Sequence, residues 1–166
     1  MTATTDRLIL PLIAPGQAQK EMTHNEALTL IDALVQPVVQ TVGTTAPPAN
    51  PLPGQCWIIG TSATGDWAGH AAALAISTSG GWRFVSAFEG MSAWSLADGM
   101  VAVHRSGVWL IGETNARKLS INGIQVVAGQ QATIAAPAGG MLADAESRAA
   151  IAAILMALRE HGLIAR

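Results

Sequence analysis

Five polar or ionisable residues crowd into one short stretch near the start of the chain. They are Lys20, Glu21, His24, Asn25 and Glu26. A base, two carboxylates and an imidazole this close together could carry acid–base chemistry. The same stretch also carries a helix-start signal, because Thr23 and Glu26 form a T-x-x-E capping box. The sequence therefore leaves two interpretations, an active site or the joint between an arm and a helix.

Sequence motifs for catalysis do not support the first interpretation. The sequence contains no G-x-S-x-G elbow and no glycine-rich phosphate loop. Its four histidines lie in different segments, without a second ligand at metal-binding spacing. The single cysteine, Cys56, cannot form an intrachain disulfide or a cysteine-cluster metal site, and we expect it to be buried beside Trp57. The sequence thus predicts a protein that is not an enzyme and has no metal or cofactor.

One glycine-rich loop keeps a binding role open. It places Asp66, Trp67 and His70 within five residues. The Trp67 ring could stack on a sugar while the other two side chains form hydrogen bonds to it. A structured surface loop with Trp67 folded down is the alternative interpretation.

Composition limits the class of protein further. Only 12% of the 166 residues are charged and the net charge is −2, which excludes the basic surface of a nucleic-acid binder. No segment has the length of about 18 apolar residues that a membrane span needs, and the first residues do not predict a signal peptide. Half of the chain is apolar, yet it has two Phe and no Tyr. A core this lean favours burial completed in an oligomer.

Hydrophobic patterning predicts an α+β fold, mainly β. About six short strands with turn glycines predict a small antiparallel meander or barrel-like body, and Asn122-Gly123 predicts a further hairpin. Pro37 should end or kink the first helix near Gln36. The expected parts are an N-terminal arm and helix at 1–42 (the arm at 1–22, the helix at 23–42), a proline-rich linker at 43–53, a β-rich body at 54–135, and a hinge with a C-terminal helix at 136–166.

The C-terminal helix has clear boundaries. Asp144 is a good N-cap, helix formers run from 145 to 160, and Gly162 suits the position just past the end. Its apolar stripe either packs on the chain's own sheet or joins helices of other copies, and isoleucine at these positions favours more than two helices. The stripe consists of Ile151, Ile154, Leu155 and Leu158.

The stretch from Pro15 to Ala27, P-G-Q-A-Q-K-x-x-T-H-N-E-A, closely resembles the N-terminal signature of a family found in prophages and gene transfer agents. That family is tied to head-spike and tail-fibre genes. The tryptophan-rich body resembles the family's repeats, and the last helix is similar to one on phage fibre proteins. The resemblance implies a structural protein of a phage-like particle, made in the bacterial cytoplasm and placed on the particle surface. It implies a homo-oligomer, trimer or pentamer, that contacts a capsid vertex or a fibre and supports attachment to capsular polysaccharide.

Under this resemblance the polar groups of the opening stretch become an assembly joint. We expect Gln17, Gln19 and Lys20 to contact another chain or the helix start. The chain length favours a spike base or short spike over a long fibre. Two alternatives stay open, a carbohydrate-binding module that uses exposed tryptophans and, third, a polysaccharide depolymerase. The full expected assembly set is Gln17, Gln19, Lys20, Thr23, His24, Asn25 and Glu26.

Overall fold

The computed structural model describes residues 3–14, 16, 20–139 and 144–166. The chain divides into two compact units, Met1–Glu113 (unit 1) and Thr114–Arg166 (unit 2). The elements of unit 1 are α1 (Lys20–Leu34), β1 (Val38–Val39), β2 (Val42–Thr44), β3 (Cys56–Ile59), a 3-10 turn (Gly65–Trp67), β4 (Leu74–Thr78), β5 (Gly81–Val85), β6 (Ser92–Ser95), β7 (Met100–Arg105) and β8 (Val108–Ile111). Unit 2 holds β9 (Leu119–Ile121), β10 (Ile124–Val127) and α2 (Ala145–Glu160).

Unit 1 contains two open four-stranded sheets, in the orders β2-β3-β4-β5 and β1-β6-β7-β8. Each is an antiparallel three-strand meander with one short parallel strand at its edge. The predicted α+β, mainly β fold is confirmed. The parallel edges and the open sheets differ from the expected antiparallel or barrel-like body. They arise because the chain leaving α1 gives one strand to each sheet.

The first helix is shorter at its end than predicted. Pro37 does stop it, since α1 ends at Leu34 and Gln36 adopts a left-handed φ of 47°. Beyond it, the predicted helical residues 38–42 and the start of the linker form β1 and β2 instead. Their β-branched valines pair with β6 and β3, a setting that favours extended backbone. Gly60 permits this close approach, because a Cβ there would collide with the backbone carbonyl of Gly43.

The core lies on both faces of β3, all four residues of which are buried. On one face Cys56 and Ile58 join a cluster that links α1, through Ala33, to both sheets. On the other face Trp57 and Ile59 join an aromatic cluster. Trp67 of the 3-10 turn lies in that second cluster, with ring centroids 6.1 Å from Trp57 and 5.2 Å from Trp82.

Cys56 is fully buried, as predicted. Burial raises the pKa of its thiol to about 11, and the reactive thiolate is therefore scarce at neutral pH. We expect a thiol reagent at pH 8 to modify Cys56 only after denaturation. Absorbance during the labelling reaction, with and without urea, checks this. Rapid labelling of the native protein would contradict the burial.

Unit 2 follows its sequence signals closely. Asn122 and Gly123 have φ of 50° and 78°, as a type I′ hairpin turn requires. α2 spans the predicted residues, and Asp144 Oδ1 accepts a hydrogen bond from the Ser147 backbone N–H at 3.0 Å. Gly162 closes the helix with φ of 71°. Within the described ranges, neither helix is long and apolar enough to cross a membrane.

The Asp144 cap should make α2 sensitive to acid. Hydrogen bonds from the Ser147 side chain and backbone lower the pKa of the Asp144 carboxyl. A carboxyl whose pKa is lower in the folded state adds stability above its unfolded pKa and loses it as pH falls through the folded value. Circular dichroism should therefore show helix loss below about pH 4. Asp144→Asn retains a capping side chain and should weaken this pH dependence. An equal acid transition in both proteins would contradict the assignment.

Candidate assembly site

The capping box predicted at Thr23 is wrong. α1 begins at Lys20, so Thr23 lies inside the helix and is exposed, whereas a capping box needs the threonine at the residue before it. Glu26 instead accepts a hydrogen bond from Arg83 Nε on β5, at 2.6 Å. This half-exposed ion pair joins α1 to the first sheet. Its contribution to stability is modest, about 1 kcal/mol or less.

Four other residues of the expected assembly set divide into two groups. Lys20 and His24 are exposed, and His24 Nδ1 donates to the Lys20 carbonyl at 2.8 Å. Gln17 and Gln19 lie outside the described residues. The expected contact of Gln17, Gln19 and Lys20 with another chain or with the helix start stays a prediction.

Asp32 is the residue that holds the arm, and it is almost fully buried. Its Oδ1 accepts from the Thr5 hydroxyl at 2.9 Å and from the Leu8 N–H at 2.5 Å. Its Oδ2 accepts from the Arg7 N–H at 2.9 Å. Hydrogen bonds to a charged acceptor each contribute about 1.5–3 kcal/mol. One carboxylate thus binds three residues of the arm segment 5–8 and holds that segment against α1.

Arg7 completes the same joint from the opposite side. Its guanidinium donates to the carbonyls of Asp32 at 2.6 Å, Ala33 at 3.2 Å and Gln36 at 3.0 Å. These carbonyls lie at the C-terminal end of α1, where a cation is favoured by the helix dipole. The Arg7 side chain of the arm therefore caps the C-terminal end of α1, and Asp32 of α1 holds the arm in place.

Asn25 fixes the arm at a second point. Its Oδ1 accepts from the Ile13 N–H at 2.9 Å, and its Nδ2 donates to the Ile13 carbonyl at 3.0 Å. Sequence reasoning assigned Asn25 to the joint but missed Thr5, Arg7 and Asp32. A signal was present, because residues seven apart lie on the same face of a helix. Asn25 and Asp32 have this spacing, and neither is a strong helix former.

An apolar groove opens where the arm, the end of α1 and the second sheet meet. We call it the arm–helix groove, and its volume is about 350 Å³. Trp94, which is 44% exposed, lies on β6 directly opposite Val101 of β7. The lining residues are Arg7, Leu8, Val35, Gln36, Pro37, Val38, Ser92, Ala93, Trp94 and Val101. The Asp32 and Arg7 contacts hold the arm against the end of α1, which forms one side of the groove.

A polar cleft of about 240 Å³ also lies beside α1. It is lined by three carboxylates, Asp6, Glu26 and Asp32, and their contacts test the catalytic interpretation. Glu26 is paired with Arg83, and Asp32 accepts three hydrogen bonds. Neither Glu26 nor Asp32 is therefore free to act as a general base, whereas Asp6 is exposed. In the part of the chain that the structure describes, no group of three His, Cys, Asp or Glu side chains could hold a metal.

The predicted glycan contact does not form as expected. Trp67 is fully buried and cannot offer a stacking face. His70 stacks on Phe84 with ring centroids 3.7 Å apart, and Asp66 is exposed in the 3-10 turn. The folded-down alternative for Trp67 is therefore the observed one, because the turn directs the ring between Trp57 and Trp82.

The predicted stripe of α2 points in more than one direction. Leu155 is buried and Leu158 is half-buried, whereas Ile151 and Ile154 are exposed. The stripe is thus partly buried, and Ile151 and Ile154 form an exposed apolar ridge.

Comparison with known families finds a match for most of unit 1. Residues 24–110, more than half of the chain, match the model of a family described as "Protein of unknown function (DUF2793)". The chain belongs to this family. The DUF2793 match covers most of α1 and the strands β1 to β8, and so lies within unit 1. A search of curated proteins finds no match to the chain.

Proposed function

We propose that the protein is a structural component of a phage-like particle and not an enzyme. It serves as a head-spike base or fibre protein on the particle surface. It assembles as a homo-oligomer, contacts a capsid vertex or fibre protein, and supports attachment to capsular polysaccharide. The resemblance of Pro15–Ala27 to the signature of such proteins supports the particle role.

The observation that carries the proposal is the arm–helix groove. It is open, mostly apolar and bordered by an arm that three buried or half-buried side chains hold in place: Arg7, Asn25 and Asp32. Such a surface suits a lasting contact with protein, since apolar and aromatic residues are typical of the centre of an interface. A preformed surface also loses little conformational entropy on binding.

Deletion of the gene tests the proposal. Particles without the protein should lack spikes in electron micrographs and bind fewer cells. Wild type and the control Leu52→Ser, an exposed apolar residue outside the groove, should restore both properties. The groove variant Leu8→Ser/Val35→Ser should not. Particles that keep their spikes and bind cells normally after deletion would sink the proposal.

Trp94 favours a second candidate, a carbohydrate-binding module. It is the most exposed of the five tryptophans, and the Gln36 and Ser92 side chains beside it can form hydrogen bonds to a sugar. Tryptophan fluorescence should change on titration with capsular polysaccharide and should not change in Trp94→Ala. Identical responses in both proteins would exclude this site. No response in either would leave only the structural role.

A further inference from the structure

Unit 2 has almost no core of its own. Among its described residues only Leu155 and Ile164 are buried apolar side chains. Its large apolar residues are instead mostly exposed, to between 41% and 70%. Those exposed are Leu119, Ile121, Ile124, Val126, Val127, Ile134, Ile151, Ile154, Met156 and Leu163. A two-stranded hairpin and one helix need a further apolar partner to be stable.

The β9–β10 hairpin has one face that lacks such a partner. Residues directly opposite in an antiparallel pair share a face, and Ile121 is opposite Ile124 while Leu119 is opposite Val127. Ser120 and Gln125 form the pair on the other face. One side of the hairpin, the hairpin apolar face (Leu119, Ile121, Ile124 and Val127), is therefore wholly apolar and uncovered. Neither strand carries a charged residue.

Hydrogen bonds to backbone carbonyls hold the rest of unit 2 together, beside the two buried apolar side chains. The Gln131 N–H donates to the Leu163 carbonyl at 2.9 Å, and the Ala165 N–H donates to the Gln131 carbonyl at 2.8 Å. The Arg159 guanidinium donates to the Ile134 carbonyl at 2.7 Å. These bonds position the segment after the hairpin along the end of α2. The apolar ridge of Ile151 and Ile154 stays exposed beside them.

The exposed apolar area of unit 2 and the chemistry of its hairpin apolar face indicate what kind of partner covers them. The four side chains of the hairpin apolar face are all exposed, and with the other six exposed apolar side chains of unit 2 the exposed area is on the order of 900 Å², about what one partner contributes to a stable interface. The occupant must be apolar and uncharged opposite the hairpin, and an identical hairpin meets that requirement. In a symmetric oligomer, moreover, such a surface can be buried against itself. Both strands also have an unpaired outer edge that an identical strand can extend.

We propose that unit 2 is completed by the unit 2 of other copies of this chain, with the hairpin apolar face buried between copies. This inference rests on the homo-oligomer part of the proposed function. Beyond that proposal, it states which surface the copies use to associate. It also implies that unit 2 folds stably only when the copies assemble.

The test compares two double variants of the full-length protein. Ile121→Thr/Ile124→Thr changes the apolar face, and the control Ser120→Thr/Gln125→Thr changes the opposite one. Both introduce threonine, a good strand former. Light scattering gives the mass, and hydrogen exchange of residues 114–139 reports on unit 2. Fluorescence reports on unit 1 alone, because all five tryptophans lie there.

Wild type and the control should be oligomers with protected β9–β10 amides. The apolar-face variant should self-associate at least tenfold more weakly and lose that protection, with unchanged fluorescence. A monomeric wild type overturns the inference, whether unit 2 is protected by its own chain or left exposed for a different protein. Equal effects of both double variants also overturn it. An oligomer that behaves as expected while gene deletion leaves particles intact would refute only the particle role.

Discussion

Trp67→Ala is expected to lower the free energy of unfolding of unit 1 by about 3–5 kcal/mol, the usual cost of deleting a buried tryptophan. Trp67 is fully buried, and its ring meets that of Trp82 edge-on at 81°. Its removal would leave a cavity against Trp57 and the second face of β3. Urea unfolding followed by circular dichroism measures the loss.

The matched control is Trp94→Ala, the same substitution at an exposed tryptophan. It should change the free energy of unfolding by less than about 1 kcal/mol. Trp67→Phe gives a second comparison, since the Trp67 indole nitrogen is buried without a hydrogen-bond partner among the described residues. Phenylalanine removes that unpaired group, so its cost should be clearly smaller than that of alanine. Similar losses for Trp67→Ala and Trp94→Ala would show that the aromatic cluster does not support the fold.

Asp32→Asn should be nearly as damaging, with a loss of about 3 kcal/mol. Asparagine has the same shape, but its NH₂ group would face either the Arg7 N–H or the donors from Thr5 and Leu8. At least one of these donors then loses its acceptor. We expect residues 3–14 to exchange amide hydrogens faster and to become sensitive to protease, while the strands stay protected.

Asp6→Asn is the control for this variant. Asp6 is an exposed carboxylate next to the same arm residues, and its substitution should leave stability within about 0.5 kcal/mol. If Asp32→Asn kept the arm protected and the protein as stable as wild type, Asp32 would not be the residue that holds the joint.

Local signals predicted most of the strands and turns. Turn glycines and the Asn122-Gly123 pair fix backbone conformations by themselves, so the six or so predicted body strands correspond to β3 to β8 and the further hairpin to β9 and β10. Asp144 and Gly162 fixed the boundaries of α2 in the same way. Such signals act through neighbouring residues and do not depend on partners far away in the chain.

Elements that depend on distant partners were not predictable in this way. β1 and β2 are two and three residues long and exist through pairing with β6 and β3. Trp67 was a candidate binding residue because its loop looked exposed, and only the positions of Trp57 and Trp82 reveal its burial. The role of Asp32 depends on an arm 24 to 27 residues earlier in the chain. The Thr23–Glu26 spacing wrongly predicted a capping box, because the same spacing also occurs inside helices.

The central claim is that this chain is built into a particle, and one measurement addresses it directly. Phage-like particles are purified through a density gradient from cells that express the protein, and mass spectrometry quantifies it against the major capsid protein in each fraction. We predict that the protein sediments with intact particles at a fixed ratio, and that Leu8→Ser/Val35→Ser leaves it in the soluble fractions. Wild-type protein found only in the soluble fractions, beside intact particles, would contradict the account.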